Sequence, residues 1–117
     1  MSRIISAKHA NQQFWGDNCS AFVLADSGSL SIKQELMPPG TRERLHMHNH
    51  SNQFFYILKG EAEFNLDDDS YQIREQEGIY VAKGEWHYIA NKSGAPLEFL
   101  VISQPSIGTD RVDLSIY

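Results

Sequence analysis

The stretch Leu45-His46-Met47-His48-Asn49-His50-Ser51-Asn52-Gln53-Phe54-Phe55-Tyr56-Ile57-Leu58-Lys59-Gly60 decides how the rest of the chain is read. Residues two apart on a strand share a face, so His46 and His48 can offer two imidazoles to one point, and His50 could extend the row. Gln53 lies an odd number of residues from His48 and cannot share that face along one unbroken strand. A turn near Asn49 to Asn52, built from residues suited to reversals, is therefore expected to place His50 at a bend and Gln53 at the start of the next strand. The run from Gln53 to Leu58 is nearly continuous in aromatic and aliphatic side chains, which fits a strand covered on both faces.

Outward from this stretch, short apolar runs alternate with turn residues at intervals of about eight to twelve residues, the rhythm of an all-β chain. Phe22 to Ala25, a turn over Asp26-Ser27-Gly28-Ser29, and Leu30 to Met37 read as a hairpin, which Pro38-Pro39-Gly40 brings to an end. After Gly60, the alternation of Ala62, Phe64 and Leu66 predicts another strand. Asp67-Asp68-Asp69 reads as a solvated hairpin turn in preference to a cation site, because no other ligand stands nearby. Further strands are expected at Tyr71 to Ile73, Ile79 to Val81, Trp86 to Ile89 and Leu97 to Ile102. Only the first dozen residues have room for a helical turn. Arg111 to Tyr117 reads as a terminal strand able to pair across a subunit interface. Eight or more short antiparallel strands in one small domain point to a sandwich or closed barrel.

The 117 residues suffice for one core, and 41% hydrophobic with 21% charged residues is the balance of an ordinary globular chain. A net charge of -5 with no basic patch argues against nucleic acid as a partner. No run is long enough to span a membrane, and the first ten residues lack the apolar core of a signal peptide. The single cysteine, Cys19, fits a reducing compartment and reads as a buried thiol. A cytoplasmic location is expected.

Gly40, His46, His48, Gln53 and Gly60 stand at spacings that resemble the first signature of the cupin superfamily, with glutamine in place of its usual glutamate. Val81-Ala82-Lys83-Gly84-Glu85-Trp86-His87-Tyr88-Ile89-Ala90-Asn91 is similar to the second signature. There Ala82 replaces the usual proline, and Gln76 stands where a leading glycine is usual. The resemblance implies an antiparallel double-stranded β-helix, or jelly roll, as a single cupin domain over 1–117. Its parts would be an N-terminal arm at 1–20, a barrel at 21–102 and a C-terminal tail at 103–117. It also implies one divalent metal ion inside the barrel, held by His46, His48, His87 and Gln53, and a chain that pairs as a homodimer.

Three neutral imidazoles and a neutral amide would leave the double charge of that ion uncompensated by protein, making it a stronger Lewis acid than a carboxylate-bound one. Such a donor set fits iron, manganese, nickel, zinc or copper, with Gln53 either on the ion or just behind it. Imidazoles must be neutral to coordinate, so occupancy is expected to fall below about pH 6. His50, Tyr56 and Tyr80 are candidate proton carriers, and Phe55, Phe64, Tyr80 and Trp86 are candidate pocket aromatics. The expected activity is that of a metalloenzyme on a small oxygen-rich or anionic molecule, of dioxygenase, isomerase or decarboxylase type. The alternative is a non-catalytic barrel that binds or senses a small molecule.

Overall fold

Apolar runs this short, cut by Gly, Pro and Asp, leave no length for a helix. The computed structural model describes residues 3–108 and 110–114, which hold strands, turns and bends only. In chain order the strands are β1 (Asn11–Trp15), β2 (Cys19–Asp26), β3 (Ser31–Met37), β4 (His46–His48), β5 (Asn52–Lys59), β6 (Ala62–Leu66), β7 (Asp69–Ile73), β8 (Gly78–Val81), β9 (His87–Ala90), β10 (Leu97–Gln104) and β11 (Arg111–Asp113). They form a six-stranded sheet in the order β1-β2-β3-β10-β5-β8 and a five-stranded sheet in the order β11-β4-β9-β6-β7. Every pairing is antiparallel, as the all-β jelly-roll reading requires. Both sheets contribute to one core in which Met37, Ile57, Phe64, Ile89, Leu97 and Phe99 are buried, each worth roughly 1.5–3 kcal/mol relative to exposure.

Pairing extends beyond 21–102 on both sides. β1 lies against β2, and β11 lies against β4. The terminal strand finds a partner within its own chain, with Arg111 opposite His48 and Asp113 opposite His46. The cause is local: after β10 the chain folds back, and the Asp110 carboxylate accepts the backbone N–H groups of His50 (3.0 Å) and Ser51 (2.9 Å), clamping the tail onto the end of β4. Residues 115–117 of the expected strand lie outside the described residues.

β5 corrects an expectation, because it is covered on one face only. Gln53, Phe55 and Ile57 point into the barrel, while Phe54 is 38% exposed. The outer side chains cover one another instead: the Phe54 ring stacks on Tyr56 at 6.4 Å and lies over Gly78 of β8, where an added Cβ would meet ring carbon at 2.4 Å. At the β5–β6 turn, Gly60 has φ of +86° and leaves no room for a side chain, with a carbonyl oxygen 2.6 Å from where a Cβ would stand.

The departures from the second signature have structural answers. Gln76 adopts the left-handed conformation that a glycine takes freely, with φ of 68°, at a cost of about 1–2 kcal/mol. Its side-chain oxygen accepts the Tyr56 hydroxyl at 2.8 Å. Ala82, unlike a proline, has an N–H, which it donates to Glu85 at 2.7 Å. Asn91 is a buried strut: its amide donates to the carbonyls of Met37 and Ala95, and its oxygen accepts from Ser93. Asp67, Asp68 and Asp69 are exposed around a tight β6–β7 turn. No helix among the described residues is long and apolar enough to cross a membrane.

Candidate metal centre

Alternation along β4 sends His46 and His48 inward, and the antiparallel register sets His46 directly opposite His87 of β9. All three rings are buried, and one ligand atom from each lies within 4.8 Å of the other two. They are three buried histidines positioned to hold a metal ion.

The outward nitrogens explain which atoms face inward. His46 Nδ1 lies 2.7 Å from the Arg44 carbonyl, His87 Nδ1 lies 2.9 Å from the Glu85 carbonyl, and His48 Nδ1 lies 2.8 Å from Asp110 Oδ1. Carbonyl and carboxylate oxygens only accept, so each Nδ1 must carry the proton and each Nε2 must present a lone pair. His48 Nε2 is buried without any hydrogen-bond partner. An orphaned inward lone pair is costly unless something positive fills the gap, and beside two further inward imidazoles it fits a cation.

Gln53, opposite Ser103 of β10, donates its amide to the Ser103 hydroxyl at 3.0 Å. Its oxygen then faces His87 Nε2 at 3.1 Å, and neither atom has a proton to offer the other. Two lone pairs meeting at this range repel in isolation. They match neighbouring ligands of one ion, since bonds of about 2.1 Å at right angles put donor atoms about 3 Å apart.

Burial disfavours charge on all three rings. It pushes His46 down to about 2 and His87 down to about 4, and His48 is lowered less freely because Asp110 favours its charged form. The imidazoles of His46 and His87 therefore stay neutral, and able to coordinate, well into acid. Asp110 is itself partly desolvated, yet the hydrogen bonds from His48, His50 and Ser51 hold it below the usual carboxylate range.

The centre opens into a cavity of about 320 Å³ that also takes in Lys33, Glu35, Glu43 and Arg111. Burial raises Glu35 to about 7 against the pull of Lys33 and Arg111, and raises Glu43 to about 8 with Glu35 adding to the rise. Glu43 accepts the Ile89 N–H at 3.1 Å and stands 4.0 Å from His46 Nδ1. Asp110, held ionised beside His48, thus partly meets the charge deficit expected from imidazole and amide alone, whereas Glu43 keeps its proton at neutral pH.

Of the other sequence candidates, His50 is exposed at the bend after β4 and Tyr80 is 58% exposed on β8. Tyr56 points outward to Gln76, so the structure brings neither tyrosine to the histidines. Phe64 stacks on the His87 ring at 5.8 Å, and Phe55 meets it edge-on at 5.9 Å, so these two form the apolar floor. Trp86 lies apart, beside Leu45 and Leu114. Cys19 is a buried thiol with its pKa raised by desolvation. Sequence reasoning missed Asp110, Glu35, Glu43 and Lys33. Asp110 carries no motif, and it meets His48 only because the tail folds back. Ser31, Lys33 and Glu35 alternate along β3, which the sequence reading assigns as a hairpin strand without choosing its inner face.

The sequence model described as "Cupin domain" matches residues 34–103. An uncharacterized protein of Methanocaldococcus jannaschii is 31% identical over 84 residues, covering 72% of this chain and 67% of that protein. The alginate biosynthesis protein AlgA of Pseudomonas aeruginosa is 28% identical over 100 residues, 85% of this chain, which spans only 20% of AlgA. A crystal structure from Klebsiella pneumoniae, described as an uncharacterized conserved protein with a double-stranded β-helix domain, superposes with a TM-score of 0.82 at 18% identity, covering 97% of each chain. At that identity the likeness speaks to the fold.

Proposed function

The chain belongs to the cupin family, and from that premise we propose that it is a metal-dependent enzyme acting on a small oxygen-rich molecule. The observation that carries this reading is that three oxygens accept from Nδ1–H, which leaves lone pairs on the Nε2 atoms of three buried rings whose ligand atoms lie within 4.8 Å of one another. His46, His48 and His87 would hold one divalent ion, with Gln53 as the fourth donor. When bound, that ion supplies Lewis acidity toward substrate oxygens, the common requirement of dioxygenase, isomerase and decarboxylase chemistry.

The chain's own residues set the conditions. Phe55 and Phe64 exclude water from one side of the rings and fix the His87 plane. Asp110 fixes the His48 tautomer and ties that ring to the tail. Glu35 and Glu43 face the cavity with carboxyl oxygens able to hold or hand on a proton. The cavity admits a small ligand: at about 30 Å³ for a water-sized group, it has room for about ten. The setting proposed is a cytoplasmic homodimer, which sedimentation would check.

The test is elemental analysis of the purified protein, followed by reloading with iron, manganese, nickel, zinc or copper. One ion per chain is expected, with none retained by His48→Ala. Oxygen uptake by the iron-loaded protein separates dioxygenase from isomerase or decarboxylase activity. Failure of the wild type to retain any of these ions would overturn the metal reading, and a loaded barrel that binds small oxygen-rich compounds without converting them would reduce it to a binding module.

A further inference from the structure

The inner face of β3 breaks the rule that a barrel interior is apolar: Ser31, Lys33 and Glu35 alternate along it before Met37 restores the core. Lys33 stands opposite Val101 of β10 and lines the same cavity as His46 and His48. A lysine directed into a barrel normally forms an ion pair or sends its head group to bulk water. Lys33 is half-buried, and its ammonium closes no ion pair or hydrogen bond among the described residues. The other cavity cation, Arg111, is already held by Asp113, with Nε 2.7 Å from Oδ1. Lys33 is thus the cation left facing the cavity with its charge available to a ligand.

We propose that Lys33 anchors the carboxylate of a small hydroxy or keto acid while another oxygen of the same molecule reaches the three-histidine centre. The inference rests on the metal reading above and adds to it the charge and size of the substrate. A divalent ion and Lys33 place positive charge on two sides of the cavity, where the facing carboxyls are Glu43 and Glu35, neither of which closes an ion pair with Lys33. A neutral ligand leaves Lys33 with only the longer-range pull of Glu35, whereas a carboxylate pairs with it directly in a partly water-excluded space, where a charge-assisted hydrogen bond is strong. The cavity volume of about 320 Å³ suits an acid of six or so non-hydrogen atoms better than a polymer or nucleotide.

The test uses zinc-loaded protein with lactate and its neutral isostere lactamide as calorimetric probes, and metal content is measured before and after each titration. The expected result is that lactate binds the wild type at least tenfold more tightly than lactamide. Lys33→Met, which keeps the stem and removes the charge, should lose that preference, and Lys33→Arg should recover most of it. Metal content should stay at one ion per chain in all three proteins. Equal lactate affinity in wild type and Lys33→Met at full metal content would overturn the anchor, as would loss of binding in Arg111→Met with Lys33→Met unaffected. Protein that holds no zinc would instead overturn the metal reading on which the anchor rests, so the two failures are separable.

Discussion

The two halves of the barrel interior are built on the same strands and differ only in the side chains those strands present. Along β10 the inward positions run Leu97, Phe99, Val101 and then Ser103; along β5, read backward, they run Ile57, Phe55 and then Gln53. On β3 the change comes at once, from Met37 to Glu35, Lys33 and Ser31. One half is a close-packed cluster, and the other is a polar cavity lined by His46 and His48. Alternation fixes which residues face inward but says nothing about their chemistry. The apolar half stabilises the barrel, whereas the polar half contributes little stability because each buried polar group must first recover the water it lost. That asymmetry marks the cavity as the part shaped for function.

The sharpest way to break this comparison is to exchange the roles of the halves. Phe99→Ala empties a fully buried position and should lower unfolding free energy by about 3–5 kcal/mol in a denaturant melt, while the folded fraction keeps its metal. A small stability loss would mean that the apolar half is not what holds the barrel. His48→Ala should do the reverse, weakening metal affinity by on the order of a hundredfold or more while the metal-free protein melts within a few degrees of wild type. Asp110→Asn tests the link between tail and centre. It leaves the ring in place but removes the carboxylate that fixes its tautomer, so metal affinity should fall about 10- to 100-fold, as read by competition with a chelator.

The pH dependence sharpens the comparison further. His87 sits at about 4 when folded against an ordinary value near 6.5, so between those limits the unfolded chain binds a proton that the folded one refuses. Stability of the metal-free protein should therefore fall as pH drops from about 6.5 toward 4. Glu43 acts in the opposite sense. Raised to about 8, it keeps a proton in the folded state that the unfolded chain releases above about 4.5, so its contribution is complete at low pH and is lost as pH rises through 8. Chemical melts of metal-free Glu43→Gln across pH 5 to 8 should show a shallower decline than wild type. Superimposable profiles would mean that Glu43 is solvated.

Much of the architecture was legible because turns and strands are written locally. The hairpin before Met37, the bend between His48 and Gln53, and the strands at Ile79–Val81 and Leu97–Ile102 all follow from short-range patterns of Gly, Pro, Asp and apolar residues. The His46–His48 pair was equally plain, since strand geometry alone puts both rings on one face. β3 was read for its hairpin and not for its face: Ile32 and Leu36 invite burial, yet Lys33 and Glu35 are the residues that turn inward. Which face of a strand becomes the interior depends on what the neighbouring strands present.

The sequence by itself determined that this chain is all-β and that His46 and His48 can meet, because a two-residue repeat and tight-turn chemistry are properties of neighbours along the chain; the likeness of its two motifs to the cupin signatures added the family and His87. Only the tertiary structure decided that Asp110 reaches His48 across 62 positions, that the tail closes on its own β4, and that Lys33, Glu35 and Glu43 share a cavity with His46 and His48. Those contacts join residues far apart in sequence, and register and strand order, not local preference, bring them together.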